Sequence, residues 1–169
     1  MHNDSTKDLY STYVDAFAAF RMMDNGQYVA SSVGVSYYVP NEYMRTGASN
    51  YDWAVVVLKD KIIDNANFMR LIVDYKQLDS CNVIGYPEDK GGFEMWESKD
   101  TIISYNDYFY NYKSDTAGGN SGGPVVFEGG FIPVAGGIHI AGDSHNKRNV
   151  GKIITSDMAQ VINRIKESS

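Results

Sequence analysis

The sequence predicts an all-β chain, a barrel or a sandwich, closed by one C-terminal helix. Short apolar runs separated by turn residues fill most of its 169 residues. Several of those runs alternate at period two, and a helical period appears only from Ser156 to Glu167. No strand–helix–strand rhythm is present, which speaks against a doubly wound parallel sheet.

The elements follow in chain order. Tyr13 to Phe20 is a first candidate strand, ended by the Asp24-Asn25-Gly26 turn signal. Val33, Val35, Tyr37 and Val39 alternate with Gly34, Ser36 and Tyr38, as a strand with one buried face does; Pro40 ends it. Ala54 to Leu58 is a fully apolar strand beginning just after Asp52. Phe68 to Val73, Asn82 to Tyr86, Phe93 to Ser98 and Thr101 to Tyr105 come next, and then Pro124 to Phe127, Ile132 to Ile140 and Gly151 to Ile154. In the terminal helix Met158, Val161, Ile162 and Ile165 share one face. Thr155 or Ser156 can cap its start, Asp157 suits its first turn, and Arg164 with Lys166 suits its end.

Composition removes several function classes. With 43% hydrophobic and 13% aromatic residues the chain can fill a core, and its 13 tyrosines suit strands. The net charge is −6 and no basic cluster exceeds Lys147-Arg148, so nucleic acid and anionic membrane have no electrostatic footprint. No apolar run reaches the length that spans a bilayer. Met1 to Asp8 are polar and acidic and do not read as a signal peptide. Cys81 is the single cysteine, which excludes an intrachain disulfide and a cysteine-built zinc site. It reads as a buried strand cysteine or as the partner of a cysteine upstream.

Chemistry concentrates in Asp115-Thr116-Ala117-Gly118-Gly119-Asn120-Ser121-Gly122-Gly123-Pro124. Glycines around one serine let consecutive N–H groups converge on a point where a hydroxyl is held, as a nucleophile with an oxyanion hole requires. A glycine-rich hairpin with an incidental serine has the same composition. Gly119-Asn120-Ser121-Gly122-Gly123 spells Gly-x-Ser-x-Gly, but the α/β-hydrolase elbow is not matched, because an apolar strand and not a helix follows the serine. A second segment, Ser49-Asn50-Tyr51-Asp52-Trp53-Ala54-Val55-Val56, sets an aspartate before an apolar strand.

The loop resembles the nucleophile loop of chymotrypsin-like serine peptidases, Gly-Asn/Asp-Ser-Gly-Gly/Ser-Pro. The resemblance implies a double β-barrel with a C-terminal helix, Ser121 as nucleophile, and the N–H groups of Gly119 and Ser121 as the oxyanion hole. Asp52, 69 residues before Ser121, would be the aspartate that orients the histidine, in the chain order His, Asp, Ser of this fold. Tyr38-Val39-Pro40, Gly85 to Lys90, Met95 to Lys99 and Gly137-Ile138-His139 look like one bacterial branch, the glutamyl endopeptidases. In that branch a strand histidine and a threonine five residues before the nucleophile bind a P1 glutamate, which implies His139 and Thr116 as the substrate-binding residues. Read alone, His139 is better explained as a buried strand histidine satisfied by a carbonyl. Gly123 and Ile140-Ala141-Gly142 depart from that branch. No metal or organic cofactor is implied.

The departure that matters most is the missing base. His139 is assigned to the pocket, and His145, in the polar loop Asp143 to Lys147, lies downstream of Ser121. His2 stands 50 residues before Asp52, but only Met1 precedes it where the family has Thr-Ala-Ala-His-Cys. The resemblance therefore implies a histidine in a segment upstream of Met1, with His2 as the alternative. It divides the chain into 1–65, a partial N-terminal barrel with the aspartate, and 66–169, a C-terminal barrel with nucleophile loop, P1 pocket and helix. The expected activity is that of a secreted serine endopeptidase acting on proteins or peptides, preferring Glu or Asp at P1. The missing segment is a further expected partner, and nucleic acid and membrane are not. The rival is an inactive relative that binds peptides.

Overall fold

The computed structural model describes residues 18–22, 28–62, 69–128, 132–143 and 147–168. Its contacts cluster into two compact units, Met1–Phe68 and Met69–Ser169.

In the first unit, strands β1 (Ala18–Met22), β2 (Tyr28–Tyr38) and β3 (Val55–Leu58) form an antiparallel sheet in that order. Strand β2 forms as expected, but the face expected to be buried is not: Val33, Val35 and Tyr37 stand 52%, 58% and 42% exposed, while Ser32 on the other face is buried. Between β2 and β3 the sequence reading missed a short helix, α1 (Asn41–Thr46), and a 3-10 turn, Ser49–Tyr51. Helix α1 buries no residue and ends where Gly47 turns left-handed.

The second unit is built on one eight-stranded sheet. Its strands are β4 (Arg70–Leu71), β5 (Ser80–Gly85), β6 (Trp96–Thr101), β7 (Ser104–Tyr105), β8 (Phe109–Tyr112), β9 (Pro124–Phe127), β10 (Val134–Asp143) and β11 (Arg148–Ile153). The pairing order is β6-β5-β9-β10-β11-β8-β7, with β4 parallel to β10. Among the described residues no pairing closes the path, yet its end strands β6 and β7 are separated by only Ile102 and Ile103, so the sheet must curl back on itself. The architecture is all-β and chymotrypsin-like, an incompletely closed barrel with a C-terminal helix.

Strand periodicity fills the core. On β5, Cys81, Val83 and Gly85 point inward and Ser80, Asn82 and Ile84 outward. Tyr110 and Tyr112 of β8, Val125 and Phe127 of β9, and Ile153 of β11 join them. Tyr110 meets Phe127 edge-on with ring centroids 5.5 Å apart, and its hydroxyl donates to the Tyr75 carbonyl. Burial pushes the Cys81 thiol up to about 12, so it is an inert core cysteine. Helix α2 (Ser156–Ser168) covers the end of the chain and buries Met158 and Val161. Among the described residues no helix is long and apolar enough to cross a membrane.

Candidate active site

The loop from Asp115 to Gly123 joins β8 to β9, and each part of it is held by a neighbour. Glu88 N–H donates to the Gly118 carbonyl at 2.7 Å, tying the loop to the β5–β6 connection. Gly119 has φ +90°, and a Cβ there would lie 2.4 Å from the Tyr86 carbonyl oxygen. Only glycine fits both constraints. At Gly123 a Cβ would meet the Ile84 oxygen at 2.2 Å, so the departure from the Ser of the related branch has a local cause.

The loop's N–H groups fall into two sets. Asn120 N donates to the Ala117 carbonyl, Gly122 N to the His139 carbonyl, and Gly123 N to the Asn120 carbonyl, at 3.2, 2.8 and 2.9 Å. Among the described residues, the N–H groups of Gly119 and Ser121 donate to no backbone carbonyl. Those two flank Asn120, whose side chain is buried, while Ser121 itself is exposed. Two uncommitted donors beside an exposed hydroxyl can receive a developing oxyanion.

His139 lies on β10, bolted to this loop from both sides. Its N–H donates to the Gly123 carbonyl at 2.8 Å, and its own carbonyl receives Gly122 N–H at 2.8 Å. The side chain is 3% exposed and its Nδ1 lies 2.7 Å from Tyr112 Oη. Burial holds the imidazole below its ordinary pKa, so the neutral ring is favoured over the imidazolium. The added positive charge of a protonated histidine is thus disfavoured in the unliganded protein.

Thr116 is half-buried, and its Oγ1 donates to Asn149 Oδ1 at 2.9 Å. The Asn149 amide nitrogen donates to the Ser114 carbonyl. A carbonyl only accepts, which fixes the Asn149 amide orientation and commits the single hydroxyl proton of Thr116 to Asn149. Tyr112 and Asn149 were missed by sequence reasoning, since neither belongs to a motif and each acts across the sheet.

Asp52 lies in the first unit, half-buried, where the 3-10 turn Ser49–Tyr51 ends, three residues before β3. Its N–H donates to the Ser49 carbonyl at 3.1 Å, and the following Trp53 packs on Tyr38 with ring centroids 5.5 Å apart. Asp52 and Ser121 belong to different units. His2 and His145 lie outside the described residues.

A cavity of about 280 Å³ opens beside the nucleophile loop, between Thr116, Ala117 and Asn120 and the residues Pro87, Trp96 and Glu97. Neither Ser121 nor His139 lines it, so it is not the space of a scissile bond. Among the described residues no cluster of His, Cys, Asp and Glu could hold a metal ion.

An incompletely closed, chymotrypsin-like β fold that exposes a serine from a glycine-rich loop defines a serine-peptidase-like protein. The family model for trypsin matches residues 11–162, and the chain belongs to that family. It is 28% identical over 124 residues to a glutamyl endopeptidase of Bacillus licheniformis, an alignment covering 69% of this chain and 39% of that protein. The chain thus matches about two fifths of that relative's length. A solved Glu endopeptidase in complex with MPD superposes with a TM-score of 0.79 at 27% identity, covering 90% of this chain and 72% of that one. The thermostable serine protease AL20 from an extremophilic microorganism shares the fold, with a TM-score of 0.76 at 16% identity over 91% and 76% of the two chains.

Proposed function

We propose that this chain carries the acylating machinery of a serine endopeptidase that prefers Glu, or Asp, at P1. The observation that carries the reading is the loop itself: an exposed Ser121 whose own N–H and that of Gly119 donate to no backbone carbonyl among the described residues, in a member of the trypsin family. Ser121 Oγ attacks the scissile carbonyl carbon while a histidine takes its proton. The Gly119 and Ser121 N–H groups receive the oxyanion. Collapse expels the amine, protonated by the same histidine, and water then hydrolyses the acyl-enzyme. Asp52 accepts the other imidazole N–H and fixes its tautomer. The base would come from a segment upstream of Met1, as the family resemblance implies, or from His2. The family resemblance supports secretion.

For P1 recognition, the relatives named as glutamyl endopeptidases support Glu. His139 meets the side chain with a ring proton, whereas Thr116 must first turn its hydroxyl away from Asn149. Peptide substrates differing only at P1 test this. Turnover should be highest for Glu, lost in Ser121→Ala, and stripped of its Glu preference in His139→Gln, with a smaller effect in Thr116→Val. Equal turnover of Glu and Ala substrates would refute the specificity.

A peptide-binding module is the second reading, favoured by one observation. His139, the one histidine among the described residues, is bound to Tyr112 and the loop backbone, so it is not placed as a base.

A further inference from the structure

We infer that Tyr112 is a positioning residue that fixes the tautomer of His139, so that the ring carries its proton on Nε2 and none on Nδ1. This rests on the reading of His139 as a P1-binding residue and deepens it, because it names the atom that meets the substrate carboxylate.

The contact has two possible polarities. In one, Tyr112 Oη–H donates to Nδ1; in the other, Nδ1–H donates to Tyr112 Oη. Three observations choose between them. Tyr112 is 0% exposed, and among the described residues its hydroxyl meets His139 Nδ1. Were the hydroxyl an acceptor, its own proton would be buried with nothing to receive it, at a cost of about 1–3 kcal/mol. Burial also raises the Tyr112 pKa, so a phenolate acceptor is not formed. Finally, burial disfavours the imidazolium, which removes the state in which both ring nitrogens donate. Tyr112 is therefore the donor, Nδ1 the acceptor, and Nε2 bears the proton.

The arrangement is rigid because both partners sit on a continuous ladder. Tyr112 pairs with Asn149 of β11, and two residues along β11 Gly151 pairs with His139 of β10. The His139 backbone in turn brackets Gly122 and Gly123, next to Ser121. A tautomer set at Tyr112 is thus held in register with the nucleophile loop. Tyr112→Phe would keep the packing and remove only the donor.

The test uses the full chain labelled with ¹⁵N-histidine and long-range ¹H–¹⁵N correlation spectra at neutral pH, His139 being assigned by its absence in His139→Gln. The expected pattern is a single neutral Nε2–H tautomer, giving way in Tyr112→Phe to a mixture or to Nδ1–H. An Nδ1–H tautomer or an imidazolium in the unmutated protein overturns the inference, and that spectrum needs no variant to fold. An unchanged tautomer in folded Tyr112→Phe overturns it as well. A peptide ending in a C-terminal glutamate separates this inference from the one beneath it. Its affinity should fall roughly tenfold in Tyr112→Phe. If the tautomer is as expected but His139→Gln binds that peptide like the unmutated chain, the P1 reading fails while the tautomer assignment stands.

Discussion

Lys152 is the residue whose environment runs most against its chemistry. It is 1% exposed on β11, and its ammonium faces the rings of Tyr108 and Phe109 at 5.4 and 5.7 Å. Its hydrogen bonds, to the carbonyls of Tyr108 and Ile153, are long at 3.5 and 3.3 Å. Burial lowers its pKa, with a partial opposing pull from Asp74. Because the folded-state pKa is depressed, the neutral form is what folding favours. The stabilisation is therefore complete above the ordinary lysine pKa and is lost as pH falls through the folded value, so at neutral pH the buried charge is a net cost. Lys152→Met keeps the aliphatic stem and removes the charge. It should raise the thermal midpoint by about 2–4 °C, equivalent to about 1 kcal/mol, in a calorimetric scan. A lowered midpoint would mean that the two ring contacts outweigh desolvation.

At the scale of elements, helix α2 is tied to the sheet by one carboxylate. Asp74 Oδ2 accepts from Ser156 N at 3.2 Å and from the Ser156 hydroxyl, while Asp74 N donates to the Ile154 carbonyl at 2.9 Å. Thr155 Oγ1 accepts from Met158 N at 3.5 Å, the weaker of the two caps. Asp74→Ala should cost about 1–2 kcal/mol in urea unfolding, and Asp74→Asn clearly less. This helix was legible because its apolar positions repeat at the helical period, and β9 because Pro124 and the preceding glycines bound it. Strand β8 was not, since Tyr108 to Tyr112 is aromatic at nearly every position and carries no polarity alternation. Helix α1 escaped for the opposite reason: six residues with none buried leave no apolar stripe to read. The candidate site divides in the same way. Ser121, Gly119 and Thr116 lie within one glycine-rich string and announce themselves. Tyr112 and Asn149 reach His139 and Thr116 from 27 and 33 residues away, through strand register that only the folded sheet supplies.

For the whole molecule, the parts of the proposed chemistry are distributed between the two units, with Asp52 in the first and the Ser121 loop, Thr116 and His139 in the second. Backbone hydrogen bonds hold Asp52, the Ser121 loop and His139 locally, and Thr116 is held by Asn149. Reaction of the folded 169-residue chain with a fluorophosphonate, read by intact mass and peptide mapping, bears most directly on whether they act together. A single adduct on Ser121, abolished by Ser121→Ala and by denaturation before labelling, is the expected result. His2→Ala then reports whether that residue supplies the base. Folded protein that takes up no label, or label found elsewhere than Ser121, would contradict the catalytic account and leave a peptide-binding relative of the same fold.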